Sequence, residues 1–270
     1  MKKSLPLLSL LSLGLIFGGP VDSINKEALA ASHGKNVNWN LSTWGKRRAF
    51  TEGIEAVSKY VADKSGGHFT IKINYGGTLS KPRENLDGIS LGAFEAATFC
   101  ASYHADKNKA VTVLELPFLP ITNGDVQKAA DLAVYSHPAT IKEMKKWNAK
   151  LLMSAALPQY EFMGRGKEPR TIADFKGMRV RALGGIGKAM KVIGAVPTTV
   201  TAPETYRAIE TGTVDAAAFA FYSHFSYKIN EVSKWRTTNL SPGSVNCPLV
   251  VNIDAYNSLS DKNKKILTDA

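Results

Sequence analysis

Cysteine and histidine, the residues that most often mark metal and redox sites, are scarce in this sequence. The chain of 270 residues has two cysteines, Cys100 and Cys247, and five histidines. The cysteines show neither metal-ligand spacing nor a redox motif, and the histidines do not share metal-ligand spacing on one helix. We therefore predict no metal and no cofactor. We interpret the cysteines as two buried apolar residues, with a disulfide as the open alternative in an oxidising compartment.

Catalytic motifs are missing as well. The sequence has no Gly-x-Ser-x-Gly nucleophile elbow. Its glycine-rich stretch 184–188 lacks the first glycine and the final hydroxyl residue of a phosphate-binding loop, because Ala182 and Ala189 stand at those positions. No pair of acidic residues stands out for acid–base chemistry. The sequence predicts a protein that is not an enzyme.

Negative charge is in deficit, and this bears on possible partners. The chain has 34 Lys and Arg against 23 Asp and Glu, a formal net charge of +11 at pH 7. The densest basic clusters, 46–48 and 142–146, lack the interleaved aromatic residues of a nucleic-acid-binding segment, and we interpret them as solvated faces. We predict no nucleic-acid partner. A diffuse positive charge would attract an anionic solute.

Long apolar stretches are confined to the N-terminus. Residues 5–17 form an apolar run of signal-peptide length after Lys2 and Lys3, and Ala-Leu-Ala at 28–30 is a small-x-small cleavage signal. We interpret residues 1–30 as a signal peptide, which predicts a periplasmic protein. No later stretch approaches about 18 unbroken apolar residues, so we predict no membrane insertion of the mature chain.

The mature chain alternates between two hydrophobic periodicities. Every second residue is apolar over 37–43 and 69–75, which predicts strands, and apolar residues three and four apart over 48–62 predict a helix. The order strand, helix, strand continues along the first half, and a second unit of similar rhythm follows. We predict an α/β protein with two lobes, each a mostly parallel sheet flanked by helices.

Three separated blocks carry a family resemblance. They are DFKGMRVR at 174–181, GAVP at 194–197 and ETYRAIETGTVD at 204–215. In order and spacing they closely resemble the extracytoplasmic solute receptors of TRAP transporters. Landmarks of the first half agree, among them ELPFL at 115–119. The resemblance covers about residues 38–270.

The resemblance implies a two-lobe clamshell that closes on a small organic carboxylate and delivers it to the membrane subunits of a TRAP transporter. We divide the chain into a first lobe of residues 31–156 with 245–270 and a second lobe of residues 157–244. The family's long C-terminal helix is missing from the sequence, so we expect a fragment. A secreted sensor domain that binds the same solute is the alternative function.

Arg181 matches the arginine that binds ligand in this family. A planar guanidinium pairs with a carboxylate through two hydrogen bonds. Arg181 also lies at the end of a predicted strand, just before a helix whose N-terminal dipole would favour an anion. The resemblance therefore implies an Arg181–carboxylate salt bridge.

The remaining pocket candidates bear on the type of ligand. Where many relatives carry a Glu followed by an Asn or Trp, this sequence has Ala218 and Phe219. We interpret Phe219 as favouring a monocarboxylate with an apolar or aromatic body; a C4-dicarboxylate or a keto acid is the alternative ligand, and a core position the alternative role of Phe219. Four further candidates lie at the ends of predicted strands, with Arg165 as a possible second cation: Trp44, Tyr103, Tyr160 and Arg165.

Overall fold

The computed structural model describes residues 35–121, 123–155 and 157–270. The predicted signal peptide at 1–30 lies outside the described residues. Within those ranges, no helix combines the length and the apolarity needed to span a bilayer.

Ten strands are found in the described part of the chain. They are β1 (Val37–Ser42), β2 (Phe69–Asn74), β3 (Ala96–Thr98), β4 (Ala149–Met153), β5 (Tyr160–Gly164), β6 (Arg179–Arg181), β7 (Val196–Thr198), β8 (Ala216–Ala220), β9 (Trp235–Arg236) and β10 (Leu249–Asn252). They form two five-stranded sheets, in the orders β2-β1-β3-β10-β4 and β7-β6-β8-β5-β9. In each sheet one strand, β10 or β5, runs antiparallel to both of its neighbours. The remaining pairings are parallel, as the alternating order of strands and helices predicts.

Helices cover both sheets. They are α1 (Glu52–Lys64), α2 (Asn85–Ser90), α3 (Gly124–Ser136), α4 (Pro138–Lys145), α5 (Gly184–Val192), α6 (Thr205–Glu210), α7 (Phe221–Ser226), α8 (Ile253–Asn257) and α9 (Asp261–Asp269). Helix α1 buries Ile54, Val57 and Val61, at the spacings of three and four that predicted it. The chain leaves α1 through Gly66 and Gly67, whose positive φ values of 62° and 83° suit glycine.

Two core layers enclose the first sheet. Because successive side chains of a strand point to opposite faces, the neighbours Val250 and Val251 of β10 belong to different layers. Val251 packs with Leu41 and helix α1, and Val250 packs with Phe99 and helix α4. A strand buried on both faces is therefore apolar throughout, as β10 is.

The last strand returns to the sheet where the chain began. Strands of the first sheet come from residues 37–153 and from 249–252, and those of the second sheet come from residues 160–236. The predicted lobe boundaries, at 156/157 and at 244/245, fall between these groups of strands. The exact extent of each lobe stays a prediction.

Two short elements are not evident from the sequence pattern. Strand β9 has only two residues, because the carboxylate of Glu161 accepts hydrogen bonds from Thr237 and Ser241 in place of a ladder. The short helix α7 was not predicted, because its sequence FYSHFS continues an apolar stretch from β8 without a terminating glycine or proline.

Candidate functional site

Arg181 is the last residue of β6 and is 1% exposed, although it carries a charge. Its Nε donates to the carbonyl of Val200 at 3.0 Å, and its Nη1 donates to the carbonyl of Ala218 at 2.7 Å. Its Nη2 donates to the hydroxyl of Tyr103 at 3.3 Å. Strand β8 and the segment after β7 therefore hold the guanidinium from one sheet, and Tyr103 reaches it from the side of the other.

No ion pair joins Arg181 to an acidic residue in the part of the chain that the structure describes. Arg179, two residues earlier, pairs instead with Asp215 through Nε at 3.0 Å and Nη2 at 2.6 Å, on an exposed side. A charge buried without a counter-ion is unfavourable by several kcal/mol. Arg181 is thus a buried cation whose hydrogen-bond partners among the described residues are all uncharged.

Aromatic rings connect Arg181 to a second arginine along one wall. The ring of Phe219 lies 4.0 Å from Cζ of Arg181. Phe219 stacks on Tyr227, with centroids 5.7 Å apart and planes 18° from parallel. Tyr227 in turn lies 5.4 Å from Cζ of Arg48. The residues of this wall come from the side of the second sheet, except for Arg48, which follows β1 of the first sheet.

A second wall, made of residues from the side of the first sheet, also connects Arg181 to Arg48. Tyr103, bonded to Arg181, meets Trp44 edge to face with centroids 5.8 Å apart. Trp44 lies 5.5 Å from Phe50, and Phe50 lies 4.9 Å from Cζ of Arg48. We call Trp44, Phe50, Tyr103, Phe219 and Tyr227 the aromatic cage, which holds a guanidinium on each of two opposite sides.

The aromatic cage surrounds a cavity with about 30 Å³ of accessible space, enough for one or two water molecules. Both sheets contribute to it, and none of its described lining residues is acidic. The lining consists of Trp44, Arg48, Phe50, Cys100, Tyr103, Leu157, Tyr160, Arg181, Leu183, Ala202, Phe219, Ser223, Tyr227, Val245 and Cys247. Larger hollows of about 390, 490 and 440 Å³ lie elsewhere. The described lining of the first two has no arginine, and the third is lined by Arg165 together with the acidic residues Glu168, Asp174 and Asp215.

Five of the six predicted site residues lie together in this lining: Trp44, Tyr103, Tyr160, Arg181 and Phe219. The structure does not bring Arg165 there. Strand β5 runs antiparallel to β8, so its first residue, Tyr160, lies at the end of the strands that faces the cavity. Arg165 follows the last residue of β5 and therefore lies at the opposite end of the strands. Arg165 is exposed at that end and donates to the carbonyl of Ile209 at 3.1 Å.

Sequence reasoning missed several residues of the cavity. Arg48 belongs to the basic cluster 46–48, which we interpreted as a solvated face, and Tyr227 follows the unpredicted helix α7. The structure also pairs Cys100 with Cys247 in a disulfide across 147 residues of sequence. Of the two interpretations of the cysteines, the structure therefore favours the disulfide.

A close contact joins the two sides beside the cavity. The carboxyl group of Glu115 is buried and accepts hydrogen bonds from the backbone N–H groups of Asn246 at 3.0 Å and Ser102 at 3.3 Å. Burial raises the pKa of Glu115 to about 7. Helix α5 begins against this residue: a Cβ at Gly185 would lie 1.8 Å from the Glu115 carbonyl oxygen. Only glycine allows this approach.

Behind Phe219, His224 gives the folded chain a dependence on pH. His224 is buried, and its Nε2 donates to the carbonyl of Glu161 at 3.0 Å. Burial lowers the pKa of His224 from its ordinary value of 6.5 to about 4. Between these values the unfolded chain binds more protons than the folded chain, so stability is full above pH 6.5 and falls as the pH drops toward 4.

We expect His224 to account for about 2 kcal/mol of the stability lost between pH 7 and pH 5. His224→Gln keeps an N–H donor for the Glu161 carbonyl but does not titrate, so its stability should fall by about 2 kcal/mol less over the same interval. Urea denaturation at the two pH values measures the difference. Equal losses in the variant and the wild type would contradict this assignment.

Comparison with known proteins identifies the family of the chain. Residues 42–270 match the family model described as bacterial extracellular solute-binding protein, family 7. A monocarboxylate 2-oxoacid-binding periplasmic protein of Nostoc sp. is 26% identical over 241 residues, covering 87% of this chain and 65% of the relative. The chain spans from 52% to 65% of the length of the curated relatives it matches.

Solved structures share the fold. One is a marine metagenome TRAP solute-binding protein specific for aromatic acids, with co-crystallised 3-hydroxybenzoate: its TM-score is 0.78 at 23% identity, over 87% of this chain and 75% of that one. Another is DctP7 of Bordetella pertussis, a receptor binding pyroglutamic acid: its TM-score is 0.77 at 20% identity, over 86% of this chain and 76% of that one. The predicted two-lobe α/β fold is confirmed, and the chain belongs to bacterial extracellular solute-binding protein family 7.

Proposed function

We propose that this protein is a periplasmic receptor that binds a small organic monocarboxylate with an apolar or aromatic body and delivers it to the membrane subunits of a TRAP transporter. The observation that carries the proposal is the position of Arg181, buried without an acidic partner among the described residues and packed against Phe219 at the edge of the aromatic cage. Its cation would bind the carboxylate, and the surrounding rings would enclose the apolar body.

The hydrogen bonds of Arg181 leave donors for a carboxylate. A guanidinium has five N–H groups, and three of these are used inside the chain. The two others lie one on each Nη, as end-on pairing with two carboxylate oxygens requires. The hydroxyl oxygen of Tyr103 accepts from Arg181 and from the N–H of Ala202 at 2.8 Å, so its own proton is available to the ligand as a third donor.

The size of the cavity implies movement on binding. The accessible space of about 30 Å³ is narrow and is lined from both sides, so a ligand must enter while the two sides of the cavity stand further apart. Because Tyr103 and Arg181 come from the two sides, closure brings the third donor and the cation together around the carboxylate. We therefore expect ligand to favour the closed arrangement over the open one.

Thermal denaturation of the full-length protein with a panel of organic acids tests the proposal. Aromatic monocarboxylates should raise the melting temperature, since a ligand at 100 times its Kd stabilises the folded state by about 2.7 kcal/mol. The panel includes keto acids, C4-dicarboxylates and uronates. Stabilisation confined to those acids would overturn the proposed ligand class, and no stabilisation by any acid would overturn the receptor function.

A further inference from the structure

The side of the aromatic cage opposite Arg181 holds polar groups that the proposed carboxylate does not use. We propose that Arg48 and Tyr227 bind a hydroxyl group at the end of the ligand furthest from its carboxylate, so that the ligand is a hydroxylated aromatic monocarboxylate. This inference rests on the proposed function of Arg181, and it assigns a second recognition site within the same cavity.

Arg48 is held in place with donors to spare. Its Nη1 donates to the carbonyl oxygens of Trp44 and Lys46, both at 2.7 Å, and its guanidinium lies against the rings of Phe50 and Tyr227. No acidic residue in the described ranges pairs with it. Nε and Nη2 together carry three further N–H groups. A fixed guanidinium with unused donors would suit an acceptor on the ligand.

Tyr227 supplies the second observation. Its hydroxyl is buried and has no partner in good hydrogen-bonding geometry among the described residues, although the Trp44 side chain lies close enough to lower the pKa of Tyr227 slightly against the effect of burial. Buried hydroxyl groups in folded proteins nearly always have a partner, so an unsatisfied one requires an explanation. Burial raises the pKa of Tyr227 to about 12, and the group is therefore a protonated phenol at neutral pH. It could both donate to and accept from a ligand hydroxyl.

The position of these groups sets the shape of the ligand. Along one wall, two rings lie between the guanidinium groups of Arg181 and Arg48, those of Phe219 and Tyr227. Along the other wall, three rings lie between the same two groups: Tyr103, Trp44 and Phe50. The space between is therefore apolar at its sides and polar at both ends. An aromatic ring that carries its polar groups at opposite ends matches that arrangement.

A hydroxyl fits the far end better than a second carboxylate does. Arg48 is partly exposed, so solvent screens its charge and it has less need of a full counter-ion than the buried Arg181. The hydroxyl of Tyr227 is satisfied by a group that both donates and accepts, whereas a carboxylate only accepts. We therefore expect a monoanionic ligand.

Titration calorimetry on the full-length protein tests the inference with benzoate, 3-hydroxybenzoate, 4-hydroxybenzoate and isophthalate. We expect one of the hydroxybenzoates to bind about tenfold tighter than benzoate, as a hydrogen bond to a charged group would give. In Tyr227→Phe and in Arg48→Met this preference, taken as the ratio of the hydroxybenzoate and benzoate affinities of the same variant, should fall to about twofold or less. Arg47→Met is the matched control, because Arg47 carries the same charge in the same segment but pairs with Glu55 outside the cavity.

Each outcome decides between the two proposals. Benzoate binding with no preference for either hydroxybenzoate, or a preference that survives in both variants, overturns the hydroxyl site and leaves the receptor function intact. Tightest binding of isophthalate also overturns it, in favour of a dianion. Failure of every aromatic acid to bind overturns both proposals. The melting temperatures of the unliganded variants establish that they are folded.

Discussion

Arg181→Met is expected to weaken binding of the cognate carboxylate about 1000-fold. Removing one member of a buried, hydrogen-bonded charge pair is unfavourable by about 4 kcal/mol, because the ligand carboxylate would be desolvated without a cation to meet it. Arg181→Lys should recover part of the affinity, since an ammonium group restores the charge but not the paired donors. Titration calorimetry measures both variants.

Stability of the unliganded chain should respond differently from binding. Methionine removes a buried cation that no acidic residue of the described ranges pairs with, which favours the folded state. It also leaves the carbonyl groups of Val200 and Ala218 without a donor, which opposes that gain. We expect a net change within about 2 kcal/mol. A large loss of affinity without a matching loss of stability would identify Arg181 as a binding residue.

Arg179→Met is the matched control for Arg181→Met. It makes the same substitution two residues earlier in the same strand, but Arg179 pairs with Asp215 on an exposed side, away from the cavity. Its affinity for the ligand should stay within about twofold of the wild type, because exposed ion pairs contribute less than about 1 kcal/mol. Binding by Arg181→Met within tenfold of the wild type would reject Arg181 as the anchor.

These two arginines also show what the sequence could predict. Strand periodicity places Arg179 and Arg181 on the same face, so it cannot separate them. The family motif singled out Arg181, and the structure adds the physical difference, since only Arg181 lies at the strand end where the two sides of the cavity meet. Motif and strand order together were enough to predict the fold and the aromatic residues Trp44, Tyr103 and Phe219 in the cavity lining.

The residues that sequence reasoning misplaced depend on long-range packing. Arg165 follows a strand whose antiparallel direction the local pattern does not reveal, so its side of the sheet was not predictable. Arg48 and Tyr227 are 179 positions apart and meet only because the two sides of the cavity close on each other. A basic cluster near a strand end and a tyrosine after a short helix carry no local signal of such a contact.

Closure itself can be tested at Gly185, where Gly185→Ala is expected to reduce ligand affinity about 100-fold. The added Cβ would lie 1.8 Å from the carbonyl oxygen of Glu115 and 2.9 Å from Cδ of Pro117. The first contact is with backbone and cannot be relieved by rotating a side chain, so α5 and the segment that ends at Glu115 must move apart. Because α5 begins three residues after Arg181, that movement would also separate Arg181 from Tyr103.

The substitution should affect binding more than folding. Gly185 lies within α5 and does not have a positive φ, so alanine is compatible with its backbone and adds about 1 kcal/mol of helix propensity. The unliganded chain can relieve the clash by opening, whereas the liganded chain must close to bring Tyr103 and Arg181 together. Small-angle X-ray scattering should therefore show compaction on adding ligand in the wild type and a smaller change in the variant.

Gly124→Ala provides the comparison, because Gly124, like Gly185, lies in the first turn of a helix and an added Cβ there would meet nothing within 4 Å. It should bind ligand as the wild type does and show the same compaction. If Gly185→Ala also bound with wild-type affinity, the contact between α5 and Glu115 would not belong to the liganded state. The donors of Arg181 and Tyr103 would then have to reach the carboxylate with the two sides of the cavity further apart than the structure places them.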